Sequence, residues 1–148
     1  MGGPGVFVNP EKASLYARVG GMTFFAALVD NFYDEVQRDS VLLPLYPQDD
    51  LDGARHRLTL FLAQYWGGPR TYMEERGHPM LRMRHFPFMI GELQRDHWLI
   101  CMASAVQKTT EDQHLQAELM DYFVNAADHM RNEDFPMGQH PSLPSTGG

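Results

Sequence analysis

Between residues 23 and 38, Phe25, Leu28, Val29, Phe32 and Val36 fall at i, i+3, i+4, i+7 and i+11. That spacing lines one face of a helix and would scatter across both faces of a strand. A helix of this length with one fully apolar face needs other elements to cover it. The same pattern recurs along the chain. Leu51, Ala54, Leu58, Phe61, Leu62 and Tyr65 predict a helix over Leu51 to Trp66, which Gly67-Gly68-Pro69 ends. Leu93, Trp98, Cys101, Met102, Ala105 and Val106 predict one over Met89 to Lys108. Thr110 with Gln113 reads as a capping box that starts a last helix through Leu115, Leu119, Tyr122, Phe123, Ala126 and Met130. A short first helix covers Ser14 to Val19 and stops at Gly20-Gly21. No alternating strand pattern competes. The expected class is all-α, with helices packed as crossing pairs.

Two stretches lie outside this periodicity. Pro44 and Pro47 punctuate a short irregular connection, and Arg70 to Phe88 is interrupted by Gly77, Pro79 and Pro87. A segment that long with so little pattern is often functional in a compact domain. The ends, 1–12 and 133–148, are rich in glycine and proline and read as flexible tails around one domain over 13–132.

Charge and cysteine content exclude several functions. Twelve basic against nineteen acidic residues give a formal net charge of -7, the wrong sign for a phosphate-binding surface and so for a nucleic-acid partner. Cys101 is the only cysteine, which excludes an internal disulfide, a cysteine-based zinc site and covalent haem attachment through C-x-x-C-H. Neither a signal peptide nor an apolar run of membrane-spanning length is present, so a cytoplasmic protein without a membrane partner is expected. H-E-x-x-H, phosphate-loop and G-x-S-x-G patterns are absent too.

Histidine is the remaining source of chemistry. His56, His97, His114, His129 and His140 sit in polar contexts and read as solvated or partly buried. His78, between Gly77 and Pro79, and His85, among interleaved basic and apolar residues, lie in the irregular segment. Spacing alone leaves His85 open between a structural role and a ligand role. Tyr33, Tyr46 and Trp98 belong to three separate elements, and each carries a polar tip that needs a partner when buried. They could meet at one polar ligand, or simply pack.

The runs Leu15-Tyr-Ala-Arg-Val-Gly-Gly21, Leu45-Tyr-Pro-Gln-Asp-Asp-Leu51, Gln64-Tyr-Trp-Gly-Gly-Pro-Arg-Thr-Tyr72, Leu81-Arg-Met-Arg-His-Phe-Pro-Phe88 and Arg95-Asp-His-Trp98 occur in that order, with Phe32-Tyr33 between the first two. In combination they resemble the group II (O-type) truncated haemoglobins, from about residue 14 to residue 131. The resemblance implies a globin-like two-over-two helical sandwich around haem b (iron protoporphyrin IX). It makes His85 the proximal iron ligand, and Tyr33, Tyr46 and Trp98 the hydrogen-bonding residues over the distal face. Leu58 and Phe61 would line the distal side, with Ala54 where many globins carry a distal His or Gln. Arg57 and Arg84, and less directly Tyr72 and His78, would meet the haem edge and its propionates.

The implied function is binding of dioxygen, and of NO or CO, with slow release. A haem enzyme that dioxygenates nitric oxide or turns over peroxide with a separate reductase is the alternative, and a haem-free helical interaction module a third. The exposed face of the last helix is a candidate surface for a homodimer.

Overall fold

The computed structural model describes residues 14–77 and 91–129, and everything it describes is helix, turn or loop, without strands. Helix α1 is Leu15–Arg18, α2 is Met22–Gln37, α3 is Leu51–Tyr65, α4 is Thr71–Arg76, α5 is Glu92–Thr109 and α6 is Gln113–His129. A single 3-10 turn, Leu43–Leu45, lies between α2 and α3. Helix α2 packs on α5 and on α3, α5 packs on α6, and α3 on α4. The pairs α2/α3 and α5/α6 form two layers that meet along the α2–α5 interface.

The predicted stripe of α2 is the centre of the core. Phe25, Leu28, Val29, Phe32 and Val36 are all fully buried, and Tyr33 joins them. Met102, Ala105 and Val106 of α5 and Leu119 and Phe123 of α6 complete the same cluster. Each fully buried aliphatic or aromatic side chain of this kind stabilises the fold by roughly 1.5–3 kcal/mol relative to exposure.

Local sequence sets the helix boundaries. Ser14 caps α1 by accepting from the Ala17 amide at 3.2 Å, and Asp50 caps α3 by accepting from Gly53 at 3.2 Å. Helix α3 ends where Gly67 takes φ 102°, a conformation that disfavours side chains. A Cβ there would also collide with Ser14. That close approach, with the Tyr16 amide donating to the Trp66 carbonyl at 3.0 Å, ties α1 to the end of α3.

Three expectations are corrected. Thr110 does not start the last helix. Its backbone is extended and terminates α5, while Asp112 accepts from the Leu115 amide at 3.1 Å and caps α6. A carboxylate is the stronger acceptor beside the positive end of a helix. Thr110 keeps a supporting role, its hydroxyl accepting from the Asp112 amide at 3.1 Å. Tyr65 and Leu93, expected on buried stripes, are 53% and 55% exposed. Leu60 and Ala63 are buried in α3 instead, because that helix packs on both α2 and α4 and its covered sector is wider than one stripe. Leu93 stands on the first turn of α5, ahead of that helix's buried residues at 101–106. Finally, 71–76 of the irregular segment forms helix α4. Met89, the expected start of α5, Met130 of the last stripe and both tails lie outside the described residues, while α5 itself begins at Glu92 after an extended Gly91.

Candidate functional site

A cavity of about 290 Å³ opens between α2, the 3-10 turn, α3, α4, α5 and α6. Tyr33, Tyr46, Trp98, Ala54, Arg57, Leu58, Phe61 and Tyr72 all line it. The eight site residues expected from sequence that fall within the described stretches are thus brought to one place. His78, Arg84 and His85 lie outside the described residues.

The three polar aromatics reach the cavity by different routes. Tyr33 sits on the flank of the α2 stripe and is 2% exposed. Tyr46 follows the 3-10 turn, held by its amide donating to the Leu43 carbonyl at 3.1 Å. Gln48 fastens the same turn, its Nε2 donating to the Tyr46 carbonyl at 2.9 Å and also to that of Leu43. Trp98 comes from α5, its ring 5.3 Å from Phe32 and 5.7 Å from Phe123. The Tyr33 and Tyr46 rings meet edge to face at 5.4 Å.

Burial dominates the electrostatics. It pushes the Tyr33 hydroxyl well above the usual tyrosine range, against the opposing pull of Arg57 and Arg55. Burial raises Tyr46 as well, reinforced by Tyr33 and opposed by the neighbouring Trp98 indole. Both phenols therefore stay protonated at neutral pH and remain hydrogen-bond donors. Arg55 lies over the Tyr33 ring at 5.7 Å and pairs with Asp30 at 3.0 Å, which holds that charge on the outer side of the phenol. Arg57 is half-buried at the cavity edge and pairs with Asp50 at 3.2 Å.

Sequence reasoning missed part of the wall. Leu42, Leu45 and Leu62, and Phe123, Ala126 and Ala127 of α6, also line the cavity, as do Arg76 and Arg95. Phe123 and Ala126 were legible as an apolar stripe, but nothing in spacing says that one stripe fills a core at one level and faces a cavity at another. His56, His114 and His129 are exposed as expected, and His56 pairs with Glu75 at 3.4 Å. His97 is partly buried.

The walls fit a flat apolar cofactor with an anionic edge. Leucine, phenylalanine and alanine make up much of the cavity wall, and Arg57, Arg76 and Arg95 on its lining suit carboxylates. The described residues hold no cluster of three or more His, Cys, Asp or Glu able to take a metal ion directly. A metal carried inside an organic ring agrees better with such walls than a bare ion.

Residues 14–132 match the family described as bacterial-like globin. A group 2 truncated hemoglobin of Bacillus subtilis is 40% identical over 113 residues, spanning 76% of this chain and 85% of that one. The chain belongs to the bacterial-like globins, as a group II truncated haemoglobin. This truncated haemoglobin is also similar to a solved thermostable hemoglobin from Thermobifida fusca, with a TM-score of 0.79 and 51% identity. That match covers 82% of this chain and 99% of the other. A structure described as a truncated oxygen-avid haemoglobin from Bacillus subtilis gives a TM-score of 0.75 at 38% identity, covering 80% of this chain and 99% of that one. The all-helical two-over-two fold is therefore that of a haem-binding globin. Among the described residues, no helix is long and apolar enough to cross a membrane.

Proposed function

We propose that this globin holds haem b in the cavity, with His85 as the iron ligand, and retains dioxygen through hydrogen bonds from Tyr33, Tyr46 and Trp98. The observation that carries the reading is that three polar aromatic side chains, from three separate elements, line one mainly apolar cavity. Bound there, haem supplies an iron atom that takes a diatomic ligand reversibly. The chain's own residues decide how long the ligand stays. Tyr33 and Tyr46 keep their protons because burial disfavours the phenolates, so each can donate to a ligand that gains negative charge on binding. Trp98 can only donate. Ala54 is too small to block the cavity and brings no competing imidazole. Arg57 reaches the lining from α3 and suits a propionate, with Arg84, Tyr72 and His78 as further candidates for that edge.

NO and CO are of the same size and enter the same cavity under this reading. Peroxide turnover or nitric oxide dioxygenation would need a separate reductase, and a cytoplasmic setting would supply one. A homodimer through α6 is a further expectation.

The test is reconstitution with haem, followed by spectra of the ferrous and oxygenated forms. One haem per chain, a stable oxygenated spectrum and slow ligand replacement are expected. His85→Ala should abolish the iron–histidine stretching band of the ferrous protein. An unchanged band would transfer the ligand role to another residue, and failure to take up haem stoichiometrically would overturn the reading.

A further inference from the structure

The cavity's hydrogen-bonding residues are carried by elements that must be held in register, and one carboxylate gathers both of the elements that bring Tyr46 and Trp98. Asp39 follows the C-terminal end of α2. Its Oδ1 accepts from the Val41 amide at 2.9 Å and the Leu42 amide at 3.0 Å. Its carbonyl accepts from the Leu43 amide at 2.9 Å. Those three residues are the start of the turn that ends in Tyr46, and Leu42 itself is buried on the cavity wall.

The other oxygen faces α5. Asp39 Oδ2 accepts from His97 Nδ1 at 2.9 Å and from the Cys101 thiol at 3.6 Å. A carboxylate only accepts, so the His97 ring must carry its proton on Nδ1. His97 is the neighbour of Trp98, and Cys101 lies one helical turn further along the same side. Burial would raise the Asp39 carboxyl, but the hydrogen bond from His97 and those from Leu42 and Val41 outweigh it and hold it below the usual carboxylate range. Burial first, and then the Asp39 charge, push the Cys101 thiol up to about 12, so this sulfur is a donor and not a nucleophile.

We propose that Asp39 is a positioning residue for the ligand cavity: it clamps the turn carrying Tyr46 to the helix carrying Trp98 and so sets the hydrogen bonding offered to a diatomic ligand. The inference rests on the proposed role of Tyr46 and Trp98 as ligand donors. Ordinary core packing would hold α2 against α5 without Asp39. The clamp acts on what that packing leaves loose, the 3-10 turn, which contributes no fully buried side chain of its own.

The test uses the haem-loaded ferrous protein with carbon monoxide as probe, reading the C–O stretching frequency by infrared spectroscopy alongside the oxygen off-rate. Asp39→Ala should raise the frequency, as donors move away from the ligand, and speed oxygen release by about three- to tenfold, the loss of roughly one hydrogen bond. Asp39→Asn keeps an oxygen for the Val41 and Leu42 amides and should recover part of both effects. His97→Phe removes the stronger bond of the arm to α5, leaving only the long Cys101 contact, at a partly exposed position, and should move both readouts in the same direction even if Asp39→Ala does not fold. Normal frequency and off-rate in a folded His97→Phe and in Asp39→Asn would overturn the clamp, provided that Tyr46→Phe or Trp98→Phe does shift them. If neither of those two moves the frequency, the donor roles themselves fall, and the clamp with them.

Discussion

Two aromatic clusters flank α2, built from the same residue types and put to different ends. Near its start, Phe25 stacks between Tyr16 at 5.9 Å and Trp66 at 6.0 Å and meets Phe24 edge to face at 5.4 Å. Near its end, Tyr33, Tyr46 and Trp98 also lie ring against ring or on Phe32, yet they border a cavity. The first cluster fills space with carbon, joining α1, α2 and the end of α3. The second leaves space, and lines it with side chains that carry an oxygen or nitrogen, one from each of three elements. Aromatic type and helical spacing do not separate these cases. What does is whether neighbouring elements close over the rings, and at the cavity they stop short because small side chains, Ala54, Ala126 and Ala127, stand where larger ones would fill it.

The largest effect expected is therefore on stability, in the closed cluster. Phe25 is fully buried, and Phe25→Ala should lower the unfolding free energy by about 3–5 kcal/mol, as a cavity forms among rings that cannot collapse into it. Chemical denaturation measures this. Oxygen release from the fraction that stays folded should change little, and a large change would show that the two clusters work as one.

Trp98→Phe is the converse. The bulk remains, so stability should move by less than about 1 kcal/mol, whereas the lost indole donor should speed oxygen release by about tenfold, some 1.4 kcal/mol. An unchanged off-rate would place Trp98 with the packing cluster and leave Tyr33 and Tyr46 as the donors.

The same contrast explains what could be read from the sequence. The core of α2 was legible residue by residue, since a 3.6-residue period with fully apolar content admits one arrangement. The cavity residues were legible as candidates through their polar tips and through the family resemblance, but their meeting is a fact of tertiary structure. Asp39 illustrates what was hidden. In sequence it is one acidic residue at a helix end, and only folding brings it to His97 and Cys101, 58 and 62 positions away. The start of α6 was misread for a local reason. Thr110 and Asp112 are both plausible caps in a string, and the extended backbone at Thr110 decides between them.

A smaller effect is expected at the mouth of the cavity. Asp50 both caps α3 and pairs with Arg57, so Asp50→Ala should cost about 1 kcal/mol through the lost cap. It should also loosen Arg57, which a change in haem dissociation rate would reveal. Asp50→Asn keeps a capping oxygen and removes the charge. Normal stability with faster haem loss in that variant would assign the pair to the cofactor edge, and normal values of both would make it a surface contact of no consequence.

The smallest effect lies on the outer edge of the α2–α5 interface, away from both clusters. Glu35 accepts from Lys108 and, at 2.9 Å, from the Ser104 hydroxyl, and Arg38 adds a third contact at 3.3 Å. The Lys108 hydrogen bond first, and then that of Ser104, hold the Glu35 carboxyl below the usual range. A depressed folded-state value means that the contribution is complete above the unfolded carboxylate's titration and disappears as pH falls through the folded one. Glu35→Gln should thus cost about 0.5 kcal/mol at neutral pH, a figure limited by solvent screening of the half-exposed lysine. The difference from the unaltered chain should vanish at strongly acid pH, below the titration of the folded carboxyl, where both carry a neutral side chain at this position. Urea midpoints at the two pH values measure it. A gap that persists in acid would mean that residue 35 acts through its shape and not its charge. The edge of this interface would then follow the packing rules of the Phe25 cluster, and the polar group would have no more consequence there than a ring carbon.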